Sequence, residues 1–212
     1  MGDEVTELIV IRHGETVWNR DGLMQGHTDV ELSGEGVAQA ERLAERLAGE
    51  DFAALISSDL KRAMQTARAI GRRTGHEVIS APELRERNFG VLESLTWDQI
   101  RQRYPDLYEL YQRRQDFAPP GGETARQRHD RAIACISRIA ADYAGRRVVL
   151  VTHGGVLMSM FKHAVGLDYQ APRNFSLYNA GLNVFCVCDG RWHVAVWGDV
   201  THLPAADLRD DY

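Results

Sequence analysis

The sequence predicts an α/β fold built on a mostly parallel sheet, and three features of the chain support this prediction. Two apolar runs, 8–11 and 148–151, lack polar alternation, which is typical of strands buried on both faces of a parallel sheet. Strand patterns alternate with amphipathic helix patterns along most of the chain, the order that builds helix-covered parallel sheets. A hairpin pattern near the end of the chain adds an antiparallel edge.

The N-terminal part of the chain contains three strand patterns separated by helix patterns. A long polar loop, 16–31, follows the first strand, and Ser33 then caps a helix that stops at Gly49. A second apolar helix stripe ends at Gly75, and we expect residues 57–59 to form its capping segment. The three strands are predicted at 8–11, 52–56 and 77–79.

The middle of the chain contains two successive helix patterns without a strand between them. Thr96 and Gln99 form a capping box, and Pro105 separates the two helices. We therefore expect an insertion over about residues 92–123 that forms a small helical lid above the sheet.

The last part of the chain completes the predicted sheet. A second capping box, Thr124 with Gln127, opens a long helix that leads into the second apolar run. Asp189-Gly190 supplies the positive φ angles of a tight hairpin turn between strands at 182–187 and 192–197. The acidic segment 204–212 is expected to be a loosely held tail. We expect one domain over residues 1–212.

Composition excludes several classes of function. The net charge of −5 comes without a basic cluster, so no nucleic-acid footprint is predicted. Three cysteines in predicted helix or strand indicate neither a disulfide framework nor a metal site. No signal core or bilayer-length apolar run is visible, which predicts a cytoplasmic protein without membrane contact.

Both central strands end in a histidine followed by glycine. Arg12-His13-Gly14 follows the first apolar run, and Thr152-His153-Gly154 follows the second. Ligands of parallel α/β sheets sit beyond the carboxyl ends of the strands, so both imidazoles are expected at one crevice. A single histidine at a strand end is usually structural, but two in matching contexts make a candidate site.

The residues around these histidines favour phosphoryl transfer without a metal. This reaction requires an attacking atom in line with phosphorus and positive charge on the equatorial oxygens, which Arg12 and a second histidine can supply. The leaving oxygen needs a proton, and Glu86 is the candidate acid. The alternative for Glu86 is a solvated charge run, because arginines flank it on both sides. Arg62 lies in the first turn of a predicted helix, where either an anionic ligand or the neighbouring Asp59 would compensate its positive charge.

Five sequence blocks, in order, resemble those of one family. Arg12-His13-Gly14-Glu15-Thr16, followed by Asn19 and by Gln25-Gly26, is similar to the signature of the histidine phosphatase superfamily, the phosphoglycerate mutase-like proteins. The other blocks are 57–67, 84–90, 120–124 and 151–155. Together the blocks span roughly residues 7–203.

The resemblance implies a three-layer α/β/α sandwich and a role for each matching residue. His13 would attack phosphorus and form a phosphohistidine, while Arg12, Arg62 and His153 would bind the phosphoryl oxygens. Glu86 would protonate the leaving oxygen and then deprotonate the hydrolytic water. The remaining phosphate- or substrate-binding residues that the resemblance implies are Asn19, Gln25, Gly26 and Gly154. The chain departs from the family at Leu92-Glu93-Ser94, where many members have Trp-Glu-Gly.

The resemblance leaves the reaction open between hydrolysis and mutase activity. Arg113 and Arg114 resemble paired arginines that mutases use to hold a substrate carboxylate, although we favour the explanation that they belong to an exposed helix face. The insertion is short for a mutase, so we favour a metal-free phosphatase of a small phosphorylated metabolite, without a cofactor. A mutase would need 2,3-bisphosphoglycerate as primer. A third hypothesis is a non-catalytic phosphate-binding protein. The exposed edge of the hairpin could pair into a homodimer.

Overall fold

The computed structural model describes residues 4–205 together with Leu208 and Asp210. Six strands form a single sheet in this part of the chain. The strands are β1 (Thr6–Arg12), β2 (Ala54–Ser57), β3 (Val78–Ser80), β4 (Arg147–Thr152), β5 (Leu182–Cys188) and β6 (Arg191–Asp199). The helices are α1 (Val17–Arg20), α2 (Gly34–Leu47), α3 (Lys61–Thr74), α4 (Trp97–Arg103), α5 (Pro105–Gln112), α6 (Ala125–Asp142) and α7 (Gly154–Ala164). Two 3₁₀ turns lie at Pro82–Leu84 and Gly90–Leu92.

The sheet order is β3-β2-β4-β1-β5-β6. Strands β3, β2, β4 and β1 are parallel, whereas β5 and β6 are antiparallel to their neighbours. The mostly parallel sheet with a C-terminal antiparallel hairpin is therefore confirmed. Strands β1 and β4 lie side by side with Arg12 opposite Thr152, so the two apolar runs end at the same level of the sheet.

Helices cover both faces of the sheet, which confirms the three-layer α/β/α sandwich. Leu8 and Val10 of β1 face a core built with α6 and α7, whereas Ile9 and Ile11 face a core built with α2 and α3. All four side chains are buried. Burying a Leu or Ile side chain stabilises a fold by about 1.5–3 kcal/mol. A strand with apolar side chains on both of its faces therefore needs a helical layer on each side of the sheet.

The insertion after the 3₁₀ turn at Gly90–Leu92 contains α4 and α5, as predicted. The capping box at Thr96 and Gln99 is present. Leu92, Leu95 and Ile100 form a small apolar cluster separate from the two main cores. The insertion thus packs around its own apolar centre beside the sheet.

Two local predictions were wrong. The predicted loop 16–31 contains the short helix α1, whose N-terminus has a capping box formed by Thr16 and Asn19. Four residues are too few to produce an apolar stripe, so the helix period is not visible in the sequence. Residues 57–59 do not cap α3: its N-cap is Leu60, and the Lys61 N–H donates to Oδ1 of Asp29 at 2.7 Å.

The predicted tail, 204–212, lies partly outside the described residues. Leu208 packs against the core formed with α2 and α3, and Asp210 forms an ion pair with Arg173. Across the described part of the chain, no helix has both the length and the apolar composition needed to span a bilayer.

Candidate active site

Strands β1 and β4 bring His13 and His153 together at their carboxyl ends. The backbone N–H of His13 donates to the Thr152 carbonyl at 2.9 Å, which continues the pairing of the two strands by one residue. The two imidazole centroids are 5.2 Å apart, and both side chains are buried. Two histidines far apart in the sequence therefore lie next to each other at the carboxyl ends of the two strands.

The backbone determines which nitrogen of His13 carries the proton. Nδ1 lies 2.8 Å from the Gly14 carbonyl oxygen. Because a carbonyl can only accept, Nδ1 is the donor, and the neutral ring has an unprotonated Nε2. Gly14 packs closely against Gly36, whose carbonyl oxygen a Cβ at residue 14 would meet at 2.5 Å. Gly14 therefore allows α2 to approach the strand end.

His153 is oriented by a serine from the end of β2. Its Nε2 lies 2.8 Å from Oγ of Ser58. Its Nδ1 is buried and has no hydrogen-bond partner among the described residues. A buried polar atom without a partner is costly, so this nitrogen is a candidate ligand-binding atom.

Burial and nearby positive charge favour the neutral form of both histidines. Burial, then Arg62 and Arg12, lower the pKa of His13 well below its usual value of 6.5. Burial, then Arg62 and neighbouring basic groups, likewise lower the pKa of His153. An anion between these groups would reverse the electrostatic part of both shifts.

Two buried arginines contribute the positive charge of the site. Arg12 donates from Nη1 to the Leu177 carbonyl at 2.5 Å. Arg62 donates from Nη1 to the Thr28 carbonyl at 3.0 Å and from Nη2 to the Gly26 carbonyl at 2.7 Å. These carbonyls fix the guanidinium groups without neutralising their charge. The acid proposed as an alternative partner, Asp59, instead forms an ion pair with Arg85.

Glu86 is buried at the same site and is positioned by backbone groups. Its Oε1 accepts from the Arg87 N–H and its Oε2 from the Gly155 N–H, both at 2.8 Å. Arg128 Nη1 lies 3.9 Å from Oε1. The prediction of a solvated charge run is wrong for Glu86, because its side chain is 6% exposed.

A cavity of about 360 Å³ opens above these groups. Arg12, His13, Arg62 and Glu86 lie at its polar side. The other predicted ligands in its lining are Asn19, Gln25 and Gly26. Its apolar side consists of Trp18, Leu23, Met24, Phe89, Leu95 and Trp97.

Four predicted residues are absent from the described lining of this cavity: His153, whose ring lies beside that of His13, and Gly154, Arg113 and Arg114. Gly154 is the buried first residue of α7 and is absent from the described lining. Arg113 is exposed and forms an ion pair with Glu109 in the same helix. Arg114 lines a second cavity, of about 260 Å³, on the other side of Glu86.

Sequence reasoning missed four residues that shape the site. Ser58 orients His153, Gly155 and Arg128 contact Glu86, and Glu93 fastens the loop that contains Gly26. The Glu93 carboxylate accepts from the backbone N–H groups of residues 27, 28 and 89. Ser58 and Gly155 lie within the family-like sequence blocks 57–67 and 151–155, so the sequence could have indicated them. Arg128 lies outside all of these blocks.

The sandwich fold and a cavity lined by histidine, arginine and glutamate define a phosphoryl-transfer enzyme. Comparison with known sequences agrees: residues 8–200 match the histidine phosphatase superfamily (branch 1). The chain belongs to this superfamily, whose members react through a phosphohistidine, and it is a phosphomonoesterase.

Individual relatives cover nearly the whole chain. Phosphoglycerate mutase-like protein 4 of Arabidopsis thaliana is 40% identical over 94% of this chain and 88% of its own length. The metal-independent phosphoserine phosphatase of the same plant is 40% identical over 94% and 84%. Among solved structures, a histidine-to-alanine variant of phosphoserine phosphatase from Entamoeba histolytica, in complex with phosphoserine, has a TM-score of 0.83. It is 28% identical and covers 94% of this chain and 100% of that one.

Proposed function

We propose that this chain hydrolyses small phosphate monoesters in two steps, with His13 as the nucleophile. The observation that carries the proposal is the hydrogen bond from Nδ1 of His13 to the Gly14 carbonyl. It leaves an unprotonated Nε2 on a neutral ring beside two buried guanidinium groups. A neutral imidazole nitrogen aligned with an anion-binding site is the arrangement that nucleophilic attack on phosphorus requires.

In the first step, Nε2 of His13 attacks phosphorus while Arg12 and Arg62 neutralise the equatorial oxygens. Arginine suits this role because its planar donors match two phosphate oxygens at once. His153 supplies a third donor: if the Ser58 hydroxyl donates to Nε2, then Nδ1 carries the proton and donates to a phosphoryl oxygen. The buried Nδ1 then gains the partner that it otherwise lacks among the described residues.

Glu86 acts at the leaving oxygen. In the protonated form it transfers a proton to the departing alkoxide, and the resulting carboxylate then accepts a proton from the water that attacks the phosphohistidine. The two backbone N–H groups keep the carboxylate in one position through both steps. The products are the alcohol and inorganic phosphate, and His13 returns to its neutral state.

The smaller contributions come from the loop above the site. Asn19 would donate its carboxamide N–H to the phosphate, and its Oδ1 is already oriented by Thr16. Gln25 and Gly26 would line the path of the substrate. The 92–123 insertion is proposed as a lid over this cavity. Arg113 is not proposed as a substrate ligand, because it points its guanidinium to Glu109 at the surface.

We favour hydrolysis over phosphoglycerate mutase activity. The insertion of two helices is short, whereas a mutase must exclude water from its phosphoenzyme and would be expected to have a longer lid. Incubation with 3-phosphoglycerate, with and without 2,3-bisphosphoglycerate, separates the two reactions. Release of free phosphate supports the proposal, and exchange between phosphoglycerate isomers without net hydrolysis would overturn it.

The central experiment is a p-nitrophenyl phosphate assay with the wild-type protein and His13→Ala. We expect the variant to lose about a thousandfold or more in kcat, because alanine removes the ring nitrogen that attacks phosphorus. Equal rates would favour the alternative of a non-catalytic phosphate-binding protein. A panel with phosphoserine, the substrate named for two relatives, then defines the preferred alcohol.

We propose that the reaction needs no metal. Arginines and a histidine supply the positive charge that a metal would otherwise provide, and a relative at 40% identity is named as metal-independent. In the described residues, no group of three or more metal-ligating side chains is clustered. EDTA should leave kcat/KM unchanged, and loss of activity that a divalent cation restores would contradict this.

A homodimer through the sheet edge is a separate proposal. Strand β6 is the outer strand of the sheet, and several of its side chains are exposed, including Val196. An open edge can pair with a second copy across a two-fold axis. Light scattering of the wild type and of Val196→Lys tests this: a dimer that the variant converts to a monomer supports it, and a wild-type monomer refutes it.

A further inference from the structure

A second cavity lies on the far side of Glu86 and has a strongly basic lining. Its volume is about 260 Å³. The basic side chains in this lining are Arg87, Arg114, Arg128, Lys162 and Arg173, and the carboxylate among the lining residues is that of Glu86. The whole chain has a net charge of −5, so this concentration of positive charge is local and not a consequence of composition.

Arg128 is buried as deeply as Arg87 and Lys162, the other buried basic residues of this lining. Its residue is 6% exposed, and within the described part of the chain its Nε has no hydrogen-bond partner. Its Nη1 is 3.9 Å from Glu86 Oε1, which is an ion-pair distance longer than a hydrogen bond. A buried guanidinium without full hydrogen bonding is costly, and an anionic ligand would supply the missing acceptors.

Lys162 reaches the same cavity from α7. Its Nζ donates to the Tyr169 carbonyl at 2.8 Å. Burial and the nearby Arg128 lower the pKa of Lys162 to about 8. Burial and Arg128 also lower the pKa of Arg87. Burial is the larger cause of both pKa shifts, and repulsion by the positive charge of Arg128 is a second cause that the two groups share.

The two cavities meet at the leaving-group side of the reaction centre. Glu86, Phe89, Tyr111 and Gln112 line both of them. The leaving oxygen must lie within hydrogen-bond distance of Glu86, roughly 3 Å. Suppose that the alcohol carries a carboxylate two carbon–carbon bonds, of about 1.5 Å each, from the carbon that bears the leaving oxygen. This carboxylate can then reach the guanidinium of Arg128 beyond Glu86.

From this geometry we infer that the second cavity binds an anionic group, a carboxylate or a second phosphate, on the leaving alcohol of the substrate. Arg128 and Lys162 are the specificity-determining residues of this subsite. The inference rests on the proposed function, because the alcohol departs past Glu86 only if Glu86 is the acid. It places recognition mainly on α6 and α7, whereas the family resemblance had indicated Arg113 and Arg114, of which Arg114 also lines this cavity. Arg173 contributes less, since Asp210 already pairs with it.

The test compares two substrates that differ at one carbon. 3-Phosphoglycerate has a carboxylate where glycerol 3-phosphate has a hydroxymethyl group, and both have the same phosphate ester. We expect the wild type to prefer 3-phosphoglycerate by at least tenfold in kcat/KM. Arg128→Gln and Lys162→Gln should each lower this preference by about 10- to 100-fold, since a charge-assisted hydrogen bond is lost. A bisphosphorylated substrate, fructose 1,6-bisphosphate, shows whether a second phosphate takes the place of the carboxylate.

Arg138→Gln is the matched control. Arg138 lies on the same helix, α6, and its replacement changes the net charge equally, but its side chain is exposed and pairs with Glu83. The control should retain the substrate preference. If Arg128→Gln fails to fold, Lys162→Gln carries the test, with folding of each variant checked by thermal denaturation.

The outcomes separate this inference from the proposed function. Hydrolysis of both substrates with no preference, or equal losses on both in the variants, overturns the subsite and leaves the phosphatase intact. Absence of hydrolysis with every phosphate ester overturns the proposed function itself. A preference that both variants reduce, and that the control keeps, supports the subsite.

Discussion

Replacing Gly155 by alanine should displace the Glu86 carboxylate without removing any charged group. Gly155 is the second residue of α7, and its N–H donates to Glu86 Oε2 at 2.8 Å. A Cβ built on Gly155 would overlap Glu86 Oε1 and Arg128 Nη1 and would lie 2.9 Å from the Glu86 carboxyl carbon. The carboxylate must therefore move away from the position where it meets the leaving oxygen.

The size of the effect depends on the leaving group. General acid catalysis contributes about 10²- to 10⁴-fold, and a shift of this size removes most of it. We expect kcat/KM for an alkyl phosphate such as glycerol 3-phosphate to fall at least 100-fold. For p-nitrophenyl phosphate the fall should be less than about tenfold, because p-nitrophenolate departs without needing a proton.

The assay is kcat/KM for both substrates, since this parameter reports the steps up to release of the alcohol. Gly34→Ala is the control, because a Cβ there meets nothing within 4 Å. The affinity for inorganic phosphate, measured by calorimetry, should change little in Gly155→Ala because Arg12 and Arg62 stay in place. Equal losses for the two leaving groups, or no loss for either, would refute the assignment of Glu86 as the acid.

Three further predictions concern stability and the phosphate site. Because the folded protein lowers the pKa of both His13 and His153, unfolding takes up protons below pH 6.5. The free energy of unfolding in urea should therefore fall as the pH drops below 6.5, by roughly 1 kcal/mol per pH unit for each histidine until its folded pKa is reached. Glu93→Gln should cost about 1–3 kcal/mol in the same measurement, because its carboxylate accepts several loop N–H groups. Arg62→Lys should lower kcat/KM about 100-fold, because lysine cannot bind two phosphate oxygens and the Gly26 carbonyl together.

Each of these predictions has a clear contrary result. A free energy of unfolding that is constant from pH 7 to 5, in the wild type and in His153→Asn alike, would contradict neutral buried histidines. Full stability of Glu93→Gln would mean that the loop is fixed by other contacts. Activity of Arg62→Lys equal to wild type would show that charge alone suffices at that position.

The strands and the polar ends of the central strands could be predicted from the sequence because both depend on local pattern. The apolar runs at 8–11 and 148–151 require burial on both faces, and the polar residues that follow them mark the strand ends. Capping boxes at Thr96 and Thr124 marked helix starts for the same reason, since a cap is formed within four residues. The family resemblance then placed His13, Arg12, Arg62, Glu86 and His153 at one site.

Only the tertiary structure decided which groups surround Glu86. Its oxygens meet the Gly155 N–H and the guanidinium of Arg128, which come from α7 and α6. Asp29, distant in sequence, caps α3 in place of the residues just before it. The direction in which a side chain points into a cavity depends on how the helical layers pack on the sheet. The local periodicity of apolar residues does not contain this information. Sequence alone thus predicted the residues of the proposed reaction centre, and the packing of α6 and α7 against the sheet determined the basic cavity beside them.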